Sequence, residues 1–250
     1  MEALPAQAVG FLVVFARVGA VLMLLPVFSE DAVPGKIRLM LSLGMSAGLW
    51  GLLGPRIPVL APDSTALPGM LIGEILTGLA IGMIIKIMFL AAAMAGSIIS
   101  LQVGLSSALI NDASQGGQAA VLSKLVSVAA AVVCMGMGVH HLWVAGIVHS
   151  YTMFPVGGLP PAADFAQLAI ATVGKAMSLA ISLSAPLLVY GIVFNMALGL
   201  SVRLAPAIQA FFLAQPLNLL LGLALFAGLI GGILTAFASS MTLWLQTGWV

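Results

Sequence analysis

The residues of this chain equipped for chemistry are few. They are three histidines, one cysteine, two adjacent serines and six charges set in or beside apolar runs. A metal site would need His140, His141 and His149 to converge. His140 and His149 are nine positions apart, which is neither of the helical steps that put two imidazoles on one face. No carboxylate lies near them in sequence, and Cys134 stands alone, so neither a metal centre nor an intrachain disulfide is expected. Beside Trp143 and Tyr151 these rings read instead as interfacial residues of a membrane protein.

The charges carry more information. Arg17, Glu74, Lys86, Lys124, Lys175 and Arg203 sit within or at the edge of apolar runs. A charge at the bilayer centre costs about 2.5–3.5 kcal/mol on insertion scales, so such groups face protein or water, or snorkel from a helix end. Glu74 and Lys86 are twelve apart. On one helix that is a rotation of about 1200°, roughly 120° past three turns, so they cannot pair with each other. Each therefore needs another partner, and Arg17 and Glu74 are candidates for groups paired across subunits in an assembly. Ser106 and Ser107, after Gly104-Leu105, faintly resemble the serine turn of intramembrane proteases, but the second glycine beside the serine is missing. The glycines lie in helical runs and form neither a phosphate loop nor a dinucleotide fingerprint. No catalytic, metal or cofactor site is expected.

The elements that must position these residues follow from composition. The 250 residues are 62% hydrophobic and only 6% charged, with mean hydropathy +1.23. A soluble domain carries about a quarter charged residues, so this is an integral membrane protein. Net charge +1 gives nucleic-acid binding no support. The opening MEALPAQ is not the basic start of a cleavable signal peptide, and the first run is expected to be retained. Apolar runs cover Ala6–Phe28, Ile37–Gly54, Met70–Leu101, Ala119–Val139 and Phe165–Leu200, with Pro186 expected to kink or break the last. A short amphipathic piece runs from His140 to Pro155, and the uncharged tail after Leu204 reads as a closing helical hairpin. Gly73, Gly78 and Gly82 read as a small-residue packing face. Nothing alternates like the strands of a transmembrane barrel, so the fold class is all-α. Counted as six spans, the runs leave Lys36, Arg38, Lys124 and Arg203 on one side, which the positive-inside rule makes cytoplasmic. The fourteen methionines read as ordinary packing of apolar helices.

One stretch breaks the pattern. From Asn111 to Gln118 there is no large apolar side chain, and a lipid-facing backbone there would leave its amides unsatisfied. It must be a water-side loop or one held inside an assembly or pore.

Four ordered blocks resemble the flagellar biosynthesis protein FliR family. LPVFSEDAVPGKIRLMLSLGM, with Pro34 and Arg38, is similar to its first-loop signature. SIISLQVGLSSALINDASQGGQAAVLSKL is similar to its glutamine motif through Gln102, Gly104 and Leu105. HLWVAGIVHSYTMFPVGG matches a His-Leu to Pro-x-Gly segment through His141, Leu142, Pro155 and Gly157. FNMALGLSVRLAPAIQAFFLAQPLNLLLGL matches through Asn195, Gly199, Arg203, Pro206 and Pro216, among others. Two departures fall in the loop: Asn111-Asp112-Ala113 stands where the family often has Asp-Pro, and Ala119-Ala120 where it often has Met-Pro.

The resemblance implies a non-enzymatic subunit of the type III export gate in the bacterial inner membrane, within the flagellar basal body. It implies tilted helical hairpins joined in a helical, ring-like hetero-oligomer with P-type and Q-type subunits. It further implies the B-type export switch protein and the basal-body ring as partners, and unfolded flagellar proteins as cargo. About 1–160 would be P-subunit-like and about 161–250 Q-subunit-like within one subunit domain. The loop Ile110, Asn111, Asp112, Ala113, Ser114, Gln115, Gly116, Gly117 and Gln118 would plug the closed channel, with Gly116 and Gly117 as hinges. The alternatives are a virulence-type export subunit, a small-solute transporter using Arg17, Glu74, Lys86 and Lys175, and a hydrolase using Ser106 or Ser107.

Overall fold

The computed structural model describes residues 3–29, 33–57, 67–105, 121–158, 161–204 and 210–247. Among them the chain is all α: α1 (Ala3–Leu24), α2 (Gly35–Leu53), α3 (Leu67–Val103), α4 (Val121–Gly136), α5 (Val139–Met153), α6 (Ala162–Leu204) and α7 (Ala210–Thr247). A 3-10 turn, Gly54–Arg56, follows α2. Among the described residues five helices are long and apolar enough to cross a membrane, or six spans if α4 and α5 together form one.

The helices belong to two compact units. The first is Met1–Met88 with His140–Val173; the second is Phe89–Val139 with Gly174–Val250.

In the first unit, α1 is packed through small residues, because apolar helices in lipid gain from close approach rather than from leaving water. Against α2, a methyl on Gly19 would stand 3.9 Å from Ser42 Cβ, and Ser42 and Ser46 are buried. Their hydroxyls return to their own helix, Ser42 to the Leu39 carbonyl and Ser46 to that of Ser42. Gly10 makes room for Trp50, whose ring meets Phe11 edge-on at 6.0 Å between centroids. Against α3 the fit is tighter. A methyl on Gly78 would stand 2.5 Å from the Arg17 carbonyl oxygen, and one on Gly82 would stand 2.8 Å from Leu24 Cβ. Two of the three glycines expected to form a packing face thus do so.

In the second unit, Leu122, Val126, Ala130 and Cys134 form the buried stripe of α4. Gly96 of α3 admits the α4 backbone: a methyl there would meet Ser123 Cα at 2.7 Å, and Ser123 Oγ donates to the Ala93 carbonyl at 2.7 Å. Phe89 of α3 meets Phe237 of α7 edge-on at 5.4 Å. Gly138, at φ 77°, lies between α4 and α5.

Of the kink or break expected at Pro186, the break is absent: α6 runs on over 43 residues. Proline deletes one N–H donor, the one that would reach the Ser182 carbonyl, and a long apolar helix packed among others tolerates the loss of a single bond. The tail is no hairpin either. From Ala210 to Thr247 it is one helix, carried through Pro216. Its glycines cost helix stability only about 1 kcal/mol each, and no polar turn interrupts the run.

Candidate functional site

Two polar clusters interrupt these apolar helices, one in each unit. The first is built on Arg17, in the middle of α1, and Glu74, near the start of α3. Both side chains are fully buried. Arg17 Nε donates to Glu74 Oε2 at 2.6 Å and Nη2 donates to Oε1 at 2.9 Å, so the guanidinium grips the carboxylate by two bonds. Further donors and acceptors of the pair are also used. Nη2 donates to the Phe154 carbonyl at 3.0 Å, and Nη1 reaches Ser150 Oγ at 3.4 Å. The Gly157 N–H donates to Glu74 Oε1 at 3.1 Å, and the Tyr151 ring stacks on the guanidinium, 4.0 Å from Cζ. One ion pair therefore fastens α1, α3, α5 and the turn after α5. Gly157, at φ 81°, is where that turn offers its amide. Arg17 and Glu74 are each other's partner within the chain and are not groups waiting for another subunit. Sequence spacing tested only Glu74 against Lys86, since pairs on different helices have no spacing rule.

The second cluster lies at the end of α3, on Gln102, Val103 and Gly104. Gly104 has φ +79°, a conformation that costs an L-residue about 1–2 kcal/mol. A methyl there would also meet Asn218 Nδ2 of α7 at 2.9 Å. Asn218 Nδ2 donates to the Gln102 carbonyl at 3.3 Å, one of the end carbonyls that a helix cannot satisfy internally. Asn218 is held in turn by Tyr190 of α6, whose hydroxyl donates to Oδ1 at 2.8 Å and lies 3.2 Å from the Asn218 carbonyl. The Gln102 carboxamide occupies the space where a Gly191 side chain would go. Asn195 Nδ2 donates to the Gly191 carbonyl at 2.8 Å. Gly222 receives Val103, whose methyls lie 3.0 Å from where a Cβ would stand. Pro216 sits between Gln215 and Asn218 in α7. The clasp ends within one residue of the described chain's stop at Leu105.

Of the expected site residues, Gln102, Gly104 and Asn195 thus come together, with Pro216 half a turn from Asn218. Pro34 precedes α2 as its N-cap, and its carbonyl accepts from the amides of Ile37 and Arg38. Gly199 has open space beside it and Arg203 is exposed in the last turn of α6. Lys86 is half-buried on α3. The loop Ile110–Gln118, both candidate serines and Pro206 lie outside the described residues. His140 and His141 stack at 4.1 Å, while His149 Nδ1 lies 3.4 Å from Thr152 Oγ1. Among the described residues no group of three or more His, Cys, Asp or Glu is placed to hold a metal. Sequence reasoning missed Tyr190, Gly191 and Asn218. A signal existed: Gln215 and Asn218 are isolated amides in a long uncharged apolar run.

A clasped helix end that leads into a long polar stretch matches the glutamine-motif block of the export family. The comparison with known proteins decides it. Residues 8–243 match the model of bacterial export proteins, family 1. The chain belongs to that family. Its members include proteins called flagellar biosynthetic protein FliR. One from Caulobacter vibrioides is 39% identical over 220 residues, covering 88% of each chain. Another, from Escherichia coli K12, is 30% identical over 86% of this chain and 81% of its own. The Yop proteins translocation protein T of Yersinia pestis is 26% identical over 81% of this chain and 78% of its own. The chain is therefore an export-family membrane protein of the FliR type, associated with other export components.

Proposed function

We propose that this protein is a structural and gating subunit of the flagellar type III export channel, through which unfolded flagellar proteins cross the bacterial inner membrane. The family match over residues 8–243 carries the reading. Identities of 39% and 30% to two flagellar relatives, against 26% to a virulence-type one, favour the flagellar system. P-type and Q-type subunits, the B-type switch protein and the basal-body ring are its partners in this proposal, with residues about 1–160 and about 161–250 in the P-like and Q-like roles.

Gating is steric in this reading. Ile110–Gln118 closes the lumen at rest and yields to cargo, while the Gln102–Asn218–Tyr190 clasp holds the stem from which it departs. What supports the clasp's part is geometry. A backbone conformation suited to glycine, a notch for a glutamine side chain and a half-buried amide network are assembled at the helix end that leads into the polar stretch. Deleting Asn111–Gln118 in the assembled gate is expected to raise ion leak across the membrane while assembly is kept; an unchanged leak overturns the plug role. Loss of the whole chain is expected to abolish secretion of flagellar proteins, restored by a plasmid copy.

A further inference from the structure

A hollow of about 500 Å³ opens where α5 ends and α6 begins, inside the first unit. Met153, Phe154, Pro155, Phe165 and Leu168 give it apolar walls. Asp164, exposed in the first turn of α6, is the charged group among the described residues that line it. The volume lies within the roughly 300–1,000 Å³ of small-ligand sites, which are mostly apolar with a few placed polar groups. The walls are held in place by the chain itself. The Phe154 carbonyl accepts from Arg17, the Gly157 N–H donates to Glu74, and the Gly158 N–H closes the turn on the Pro155 carbonyl at 3.0 Å. On the other side the Phe165 N–H donates to the Pro161 carbonyl at 3.0 Å, which fixes the start of α6.

Asp164 tells what the hollow takes. All eight Lys and Arg and all three His of the chain lie among the described residues, and none of them pairs with this carboxylate. The positive end of a helix accounts for an acid in a first turn, but not for an apolar hollow beside it. A neutral apolar molecule would leave the carboxylate unused, and an anion would be repelled by it. An ammonium on an apolar body uses both features: the cation makes a charge-assisted bond to Asp164 while the rest of the molecule leaves water. We propose that this hollow binds an organic ammonium ion, a primary amine carried on an aromatic or alkyl body. It lies at the start of a candidate span, Ala162–Leu204, where that chemistry has two sources: a soluble amine and the ammonium headgroup of a bilayer phospholipid. This inference does not depend on the gating role proposed above.

Titration calorimetry of the full chain in a non-ionic detergent, with phenethylammonium as the probe, tests it. The expected result is binding with Kd below about 1 mM, with phenethyl alcohol and hydrocinnamate at least about tenfold weaker. Asp164→Asn is expected to weaken the probe at least about tenfold and to leave the thermal transition in place, because the residue is exposed. Leu168→Trp, which fills the hollow from α6, is expected to abolish binding. No binding to the wild type, equal binding of the neutral alcohol, or undiminished binding to Asp164→Asn overturns the proposal. Mass measurement of the lipid carried through purification separates the two sources. Phosphatidylethanolamine enriched on the wild type over Asp164→Asn makes the source the bilayer; equal lipid, with the probe still bound, makes it a soluble amine. A chain that did not restore flagellar secretion would sink the gating role and leave these titrations intact.

Discussion

The two polar clusters solve the same problem with opposite chemistry. The first-unit cluster is ionic, fully buried and tied to four segments at once. The second-unit clasp is neutral, partly exposed and centred on a helix end. A buried ion pair is weak evidence of net stability but fails badly when one member is lost, because the other charge is stranded. A network of amides and a hydroxyl fails gently, since each bond contributes only about 1 kcal/mol net. The first cluster is therefore suited to fixing a fold. The second is suited to setting the angle at which a segment leaves it.

That contrast orders the expected effects. Glu74→Ala strands the Arg17 guanidinium and should cost about 3–5 kcal/mol, seen as collapse of the thermal transition in detergent. The double variant Arg17→Met/Glu74→Leu should recover much of the loss; a double variant no better than the single one would mean that the hydrogen-bonded surroundings, and not the pair, need the charges. Gly191→Ala comes next. It drives a methyl into the Gln102 carboxamide and should cost about 1–3 kcal/mol, with ion leak through the gate raised out of proportion to the lost stability. Gly104→Ala adds strain of about 1–2 kcal/mol at the same clasp and should produce the same leak. Tyr190→Phe removes only a hydroxyl, and about 0.5–1.5 kcal/mol with it, so the chain should fold normally and leak slightly. If Tyr190→Phe destabilised the chain as much as Glu74→Ala does, the distinction between the clusters would disappear. Gly174→Ala, with open space around it, should change the isolated chain's stability by less than about 1 kcal/mol and serves as the reference.

Composition announced an all-α membrane protein because 6% charge cannot cover a soluble surface. The placement of α1 to α6 was largely legible, since helices of about 20 apolar residues are read directly from hydropathy. The family was legible too, through short blocks around Gln102, Pro155 and Arg203. The helix that runs through Pro186 and the undivided tail were not. A proline only lowers the odds of helix locally, and neighbouring helices decide whether the chain continues.

The site divides along the same line. Gln102 and Gly104 were legible through their match to the family's glutamine motif, just ahead of the stretch that lacks large apolar side chains. What they touch was not, because Asn218 and Tyr190 are 116 and 28 positions away from their hydrogen-bonding partners. Arg17 and Glu74 were each visible as charges that needed a partner. Only the close approach of α1 and α3 over Gly78 and Gly82 made them partners of each other. Sequence determines which groups must be satisfied, because the cost of burying a charge or an amide belongs to the residue. Tertiary structure decides by whom, because the partner is set by which helices can approach and at what register.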